Sequence, residues 1–189
     1  PEHYSNVLRQ QWKATSETTV MLYVGRLSPE KEIDVVVNAY LAMKQRAKQD
    51  IKLVIVGDGP DRGRLETLCQ GSDVVFTGAL TGLNLAQAYA SANVFVFASQ
   101  VETFGNVVPE ALASGLAVLS YAHAAASELI FSGRNGVLVE AGDSVAFMNA
   151  ALVLATDPAH VARLRAAAPA SVAHLAWDAI FDSFVATLR

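Results

Sequence analysis

Cysteine, charge and long apolar runs are all scarce in this chain, and each shortage removes a class of protein. Cys69 is the single cysteine among 189 residues, so no internal disulfide can form, which suits a reducing compartment. Charged residues make up 17% against 52% apolar, far from the composition of disordered chains. No apolar run reaches the roughly 20 residues a membrane helix requires, and no secretory hydrophobic region lies near the start; membrane contact is not indicated. Lys and Arg number 14 against 18 Asp and Glu, a net charge of −4. That balance argues against a nucleic-acid partner, because phosphate backbones select basic faces. Pro1 stands where an initiator methionine would, and the chain is read as a fragment. What remains is a soluble, globular, cytoplasmic domain. At this length a fold buries roughly 70% of its unfolded surface and needs no metal or disulfide staple.

One pattern repeats through most of the chain: a short apolar strand, a polar loop, then an amphipathic helix. Strands are predicted over residues 20–24, 51–56, 73–76, 93–97, 117–119 and 136–139. They are continuous apolar runs, as expected of strands buried on both faces. Helices are predicted over 32–46, 61–68, 83–90, 106–113 and 144–155, and, in a tail that Pro169 breaks in two, over 159–168 and 171–188. In the last of these Trp177, Ile180, Phe181 and Phe184 form an apolar stripe suited to packing on the domain itself. Alternating strands and helices imply an α/β fold, a Rossmann-like doubly wound parallel sheet of about six strands with C-terminal helices. Residues 1–189 form a single domain in which 1–19 is a lead-in and 157–189 a helical tail. Ligands of such sheets sit beyond the carboxyl ends of the strands, near the switch in strand order.

Two loops at those ends carry anion-binding chemistry. Gly25-Arg26-Leu27-Ser28-Pro29-Glu30-Lys31 follows the first strand, and its two cations can meet phosphate as a fork and as a point charge. Thr103-Phe104-Gly105-Asn106-Val107 precedes a helix; Gly105 permits close backbone approach, and amides at a helix start favour an anion. The bland alternative is a surface ion pair between Arg26 or Lys31 and Glu30 or Glu32, which is worth little. Gly57, Gly59 and Gly63 follow the second strand and invite a dinucleotide-binding interpretation, but the third glycine arrives one residue late for G-x-G-x-x-G. A tight turn launching a helix and contact with part of a nucleotide both fit this loop.

Taken in order, these segments resemble a known family. Gly25-Arg26 with Lys31, Gly57-Asp58-Gly59-Pro60, Phe76-Thr77-Gly78, and Glu102-Thr103-Phe104-Gly105 through Glu110-Ala111-Leu112-Ala113-Ser114-Gly115 look like the donor-binding, C-terminal lobe of the retaining glycosyltransferases of family 4, which have the GT-B fold. The likeness runs from about residue 20 to 157 and includes Gly133-Arg134-Asn135-Gly136. It implies that Arg26 and Lys31 bind the diphosphate of a nucleotide sugar and stabilise the charge that leaves. It also implies that Glu102 accepts hydrogen bonds from the donor sugar and Glu110 from the ribose. Gly25, Gly57, Asp58, Gly59 and Gly78 would border the donor, the backbone of Leu80 its base, and Thr103, Phe104, Gly105, Asn106 and Val107 its phosphates and sugar. No Asp-x-Asp signature is present, and the resemblance implies a metal-independent enzyme with no cofactor beyond its donor substrate, a UDP-sugar being slightly preferred to GDP- and ADP-sugars. The partner it implies is an N-terminal acceptor lobe, absent from these residues, without which the chain should not turn over.

Other readings stay open on sequence alone. A lobe of this kind could bind a nucleotide sugar without transferring it. A glycoside hydrolase could use Glu102 and Glu110 as acid and base, with carboxyl groups roughly 5–9.5 Å apart. Eight helical steps span about 12 Å, which leans against hydrolysis, and the cations have no use on a neutral glycan. One loop departs from the family: where a glycine pair is usual after the fifth strand, the chain reads Ala122-His123-Ala124-Ala125-Ala126-Ser127-Glu128. Alanine takes positive φ only at a cost, so the shape of this loop is not carried over. His123 is expected to be structural, with proton transfer the alternative.

Overall fold

The structure is a computed structural model that describes residues 3–102 and 105–175. Strands β1 (Thr19–Val24), β2 (Ile51–Val56), β3 (Val75–Gly78), β4 (Val94–Phe97), β5 (Ala117–Tyr121) and β6 (Gly136–Val139) form one parallel sheet in the order β3-β2-β1-β4-β5-β6. Helices α1 (Asn6–Gln11), α2 (Ile33–Arg46), α3 (Arg62–Leu68), α4 (Gly82–Ser91), α5 (Val107–Ala113), α6 (Ala124–Leu129), α7 (Ser144–Thr156) and α8 (Pro158–Val172) connect and cover it. Every residue of β1, β2, β4 and β5 is buried, which is why these segments read as unbroken apolar runs. The order reverses direction between β1 and β4, so the crevice that binds ligands in such sheets opens there. Those two strands share a short ladder, Met21 with Val94 and Leu22 with Phe95, whereas β1 pairs with β2 along its whole length.

The amino-terminal edge of the sheet is tied by a polar knot. Lys52 is buried within β2, and its ammonium donates to Asp73 Oδ2 at 2.7 Å. Lys44 donates to the same oxygen at 3.1 Å, and the Tyr40 hydroxyl donates to Oδ1. Burial alone would raise the Asp73 carboxyl, but hydrogen bonds from Lys52, Tyr40 and Lys44 hold it well below the usual carboxylate range. On the same edge Arg9 of α1 is buried and donates to the carbonyls of Ser91, Thr15 and Thr18 and to Asn93 Oδ1, fastening α1 across the start of β4.

Two predicted elements are corrected and two helices are added. β3 begins and ends two residues later than 73–76, because Gly78 pairs with Val56 across a register shift. The tail helix is not broken at Pro169: α8 runs to Val172, with Leu164, Ala168 and Val172 buried along its packed face. Proline loses one hydrogen bond near a helix end, which packing of that face offsets. Two helices were not predicted. Ser5 caps α1 through its hydroxyl, which accepts from the Leu8 amide at 3.2 Å. α6 forms inside the alanine-rich loop, entered through Ala124 at φ +46°, so alanine adopts there the left-handed backbone that glycine would take cheaply. The stripe of Trp177, Ile180, Phe181 and Phe184 lies outside the described residues. Among the described residues no single helix is long and apolar enough to cross a membrane.

Candidate functional site

A recess of about 420 Å³ opens at the carboxyl ends of β1 and β4, lined by Val24, Gly25, Arg26, Glu30, Lys31, Phe97, Glu102, Gly105, Asn106 and Val107. It gathers both predicted cations, one of the two glutamates, and the glycine and amides at the start of α5. Beneath it Tyr23 stacks on Phe97, ring centroids 5.9 Å apart, and the Tyr23 hydroxyl donates to the Arg26 carbonyl at 3.3 Å. Tyr23 therefore supports the cation loop from the sheet. Burial, and after it the charges of Glu102 and Glu30, push its phenol well above the ordinary value.

Lys31 is half-buried, and its ammonium donates to Glu102 Oε1 at 2.6 Å and to the Val101 carbonyl at 3.0 Å. The ion pair expected as the bland alternative is thus made with Glu102, not with Glu30 or Glu32. Glu30 instead accepts from the Ser28 hydroxyl at 2.6 Å; that bond, with smaller help from Arg26 and Lys31, lowers its carboxyl. Arg26 is exposed and makes no ion pair among the described residues. Lys31 thus enters the recess paired with Glu102, and the Arg26 guanidinium enters it with no ion pair among the described residues. Gly105 has φ +76°, and a Cβ there would lie 3.1 Å from Glu102 Oε2. The position favours glycine for its backbone, and a Cβ there would also press the Glu102 carboxylate by a few tenths of an ångström.

The glycine loop after β2 does not line this recess. A Cβ on Gly57, at φ +145°, would stand 1.9 Å from the Gly25 carbonyl oxygen, and one on Gly59 2.2 Å from that of Leu27. The Leu27 amide donates to the Asp58 carbonyl at 2.9 Å, and the Asp61 amide to the Leu27 carbonyl at 3.0 Å. Gly57 and Gly59 therefore let the β2–α3 turn press against the Arg26 loop as a buttress. Asp58 holds the Gly59 amide and Arg62, and the Gly78 carbonyl accepts from the Gly57 amide at 2.9 Å. Leu80 is half-buried against the core. Glu110 is exposed on α5, and its Oε2 accepts from the buried Tyr89 hydroxyl at 3.0 Å. Thr103 and Phe104 lie outside the described residues.

Three supporting residues escaped the sequence. Tyr23 and Tyr89 sit on core faces, where an aromatic is ordinary, and nothing local marks their hydroxyls. The Gln100 side chain donates to both carboxylate oxygens of Glu32, at 2.9 Å each, across 68 positions that no spacing rule joins. The lead-in to β6 is a packing device: buried Asn135 bonds the Leu129 carbonyl and the Phe131 amide, and a Cβ on Gly136 would lie 2.5 Å from the Val118 oxygen. A second recess, about 450 Å³ between α5 and α8, is lined by Ala113, Gly115, Arg165 and Pro169 among others. It holds only the Ala113-Ser114-Gly115 end of the last motif and none of the predicted site residues, and Arg165 already donates to the Gly115 carbonyl.

Residues 18–157 match the sequence profile of the glycosyl transferases group 1 family. The chain belongs to that family. Over 143 residues it is 42% identical to a GDP-mannose-dependent alpha-mannosyltransferase of Mycobacterium tuberculosis, covering 76% of this chain and 35% of the relative. Its fold superposes on sucrose-phosphate synthase from Thermosynechococcus elongatus with a TM-score of 0.80 and 32% identity, over 99% of this chain and 49% of that one. Anabaena Alr3699/HepE, solved in complex with UDP-glucose, gives a TM-score of 0.78 and 26% identity, over 96% of this chain and 51% of that one. The group 1 chain described here thus spans between a third and a half of the length of these relatives, and its six-stranded α/β unit has the architecture of the C-terminal lobe of GT-B glycosyltransferases.

Proposed function

We propose that this chain is the donor-binding lobe of a retaining, metal-independent, cytoplasmic glycosyltransferase that moves a sugar from a nucleotide diphosphate sugar to an acceptor. The observation that carries this is the recess at the β1–β4 switch, where Arg26, Lys31, Glu102 and the start of α5 converge. In this proposal Arg26 and Lys31 neutralise the diphosphate as the glycosidic bond breaks, the role a metal ion plays elsewhere. Glu102 accepts from a hydroxyl of the donor sugar while the Gly105–Val107 amides face its phosphates. Glu110 accepts from the ribose, held by Tyr89, and Leu80 borders the base. Gly25 and Gly57-Asp58-Gly59 shape the cation loop. A further lobe would position the acceptor; this chain covers only 49% of the synthase it superposes on. Relatives named as transferases favour catalysis over a module that only binds.

GDP-mannose is the donor proposed first, supported by the 42% identical relative named for it. A UDP-sugar, expected above, is the second, supported by the neighbour solved with UDP-glucose at 26% identity. Calorimetric titration with GDP, UDP, ADP and the matching nucleosides tests the site and chooses the base. Arg26→Ala and Lys31→Ala should each weaken nucleoside diphosphates by about 10- to 100-fold, the scale of charge-assisted hydrogen bonds, and leave nucleosides unchanged. Equal diphosphate affinity in wild type and both variants would refute the assignment.

A further inference from the structure

Glu32 directly follows Lys31 and has a left-handed backbone, φ +48° and ψ +40°. Residues with a Cβ reach that region only at a conformational cost that glycine avoids, and such strain persists where surrounding contacts fix it. The Glu32 side chain gives nothing to α2, since it makes no cap hydrogen bond. Both its carboxylate oxygens instead accept from Gln100 Nε2, at 2.9 Å each. Beside this clamp the Lys31 ammonium reaches the Val101 carbonyl and the Glu102 carboxylate. Residues 31 and 32 of the β1–α2 loop therefore engage 100, 101 and 102 of the β4–α5 loop, across the seam where β1 and β4 share their short ladder. A charge-assisted contact sits at the strained residue, one position from the cation and two from the carboxylate of the recess.

We propose that Glu32 is a positioning residue: its clamp on Gln100 fixes the strained turn that aims the Lys31 ammonium into the recess beside Glu102. This rests on the donor-site proposal, and it adds a residue that touches no ligand. A merely structural Glu32 and a positioning Glu32 differ in what glycine does there. Glycine accepts φ +48° more easily than glutamate, so Glu32→Gly removes the clamp and the strain together.

The experiment measures melting midpoint and calorimetric affinity for GDP, UDP and the matching nucleosides on wild type and three variants. Glu32→Gly should melt at or above wild type while nucleoside diphosphate affinity falls about 5- to 10-fold and nucleoside affinity holds. Gln100→Glu, which sets two carboxylates face to face, should weaken diphosphates at least as much. Glu32→Gln combined with Gln100→Glu restores one amide donor and one carboxylate and should recover most of the loss. A Glu32→Gly chain that binds diphosphates as tightly as wild type, whatever its melting point, overturns the inference, as does a double variant no better than Gln100→Glu. Wild type that binds no nucleoside diphosphate overturns the donor site itself and this inference with it, so the two failures are distinguishable.

Discussion

A methyl group at Gly57 would meet the Gly25 carbonyl oxygen at 1.9 Å and the Gly25 carbonyl carbon at 3.0 Å. Both atoms are backbone, so no side chain can swing aside. Restoring ordinary contact near 3.4 Å requires the Arg26 loop and the β2–α3 turn to separate by about 1.5 Å. Alanine must also hold φ +145°, in a region that costs roughly 1–3 kcal/mol for a residue with a Cβ. Adding the loop displacement, Gly57→Ala should lose about 2–4 kcal/mol. For a domain of this size that lowers the melting midpoint by about 4–16 °C. Arg26 adjoins Gly25 and moves with it, and a misplacement near 1 Å is enough to forfeit most of a directed hydrogen bond. Diphosphate affinity should therefore fall roughly 10-fold or more although Gly57 does not line the recess. Gly63→Ala is the control: a Cβ there meets nothing within 4 Å, and in a helix alanine should gain about 0.5–1 kcal/mol with binding unchanged. Differential scanning fluorimetry and calorimetric titration read both quantities. A Gly57→Ala chain that melts with wild type and binds GDP or UDP equally well would refute the buttress.

Two further outcomes are expected. Glu110→Ala should lower affinity for ribose-containing diphosphates by about 1–3 kcal/mol yet hardly change that for a dideoxyribose analogue, and Tyr89→Phe, which removes the 3.0 Å bond to Glu110, should show the same selectivity at smaller size. Equal losses for ribose and dideoxyribose ligands would refute that role. The Asp73 carboxyl is held well below its ordinary range in the fold, so its contribution is complete above the unfolded aspartate value of about 3.9 and is lost as pH falls from there toward the folded value. Asp73→Asn should cost about 1–2 kcal/mol at pH 7, discounted because its side chain is 41% exposed. Its stability should also fall less steeply than wild type between about pH 4 and 2; parallel acid unfolding curves would contradict this.

The sheet was legible in the sequence because its strands are buried on both faces, so Ile51–Val56 and Val94–Phe97 announce themselves without any pattern of alternation. Residues at the strand ends were harder. Gly78 looks like a loop residue, and only its pairing with Val56 makes it part of β3. α6 was hidden because Ala124 must enter it left-handed, an unfavourable step that propensity alone argues against. At the recess, the positions of Arg26, Lys31, Glu102 and Gly105 followed from motif order. The Lys31–Glu102 pair did not, since it joins loops 71 positions apart. For Gly57 and Gly59 a tight turn and nucleotide contact both fitted the sequence; the close approach of the Arg26 loop, where an added Cβ would stand 1.9–2.2 Å from a backbone oxygen, is a tertiary feature that no spacing announces.

The two-pair ladder between β1 and β4 also has a mechanical meaning. On one side β1, β2 and β3 carry the cation loop and its buttress; on the other, β4, β5 and β6 carry Glu102 and α5. The halves are joined at the amino edge, where Arg9 and Asn93 bind both, on one face by the packing of α2 against α7, and at the carboxyl edge by the Tyr23–Phe97 stack and by side chains from residues 31 and 32. A molecule spanning the recess would bridge the two halves at the carboxyl edge, where the β1–β4 backbone ladder has already ended and side chains alone make the join.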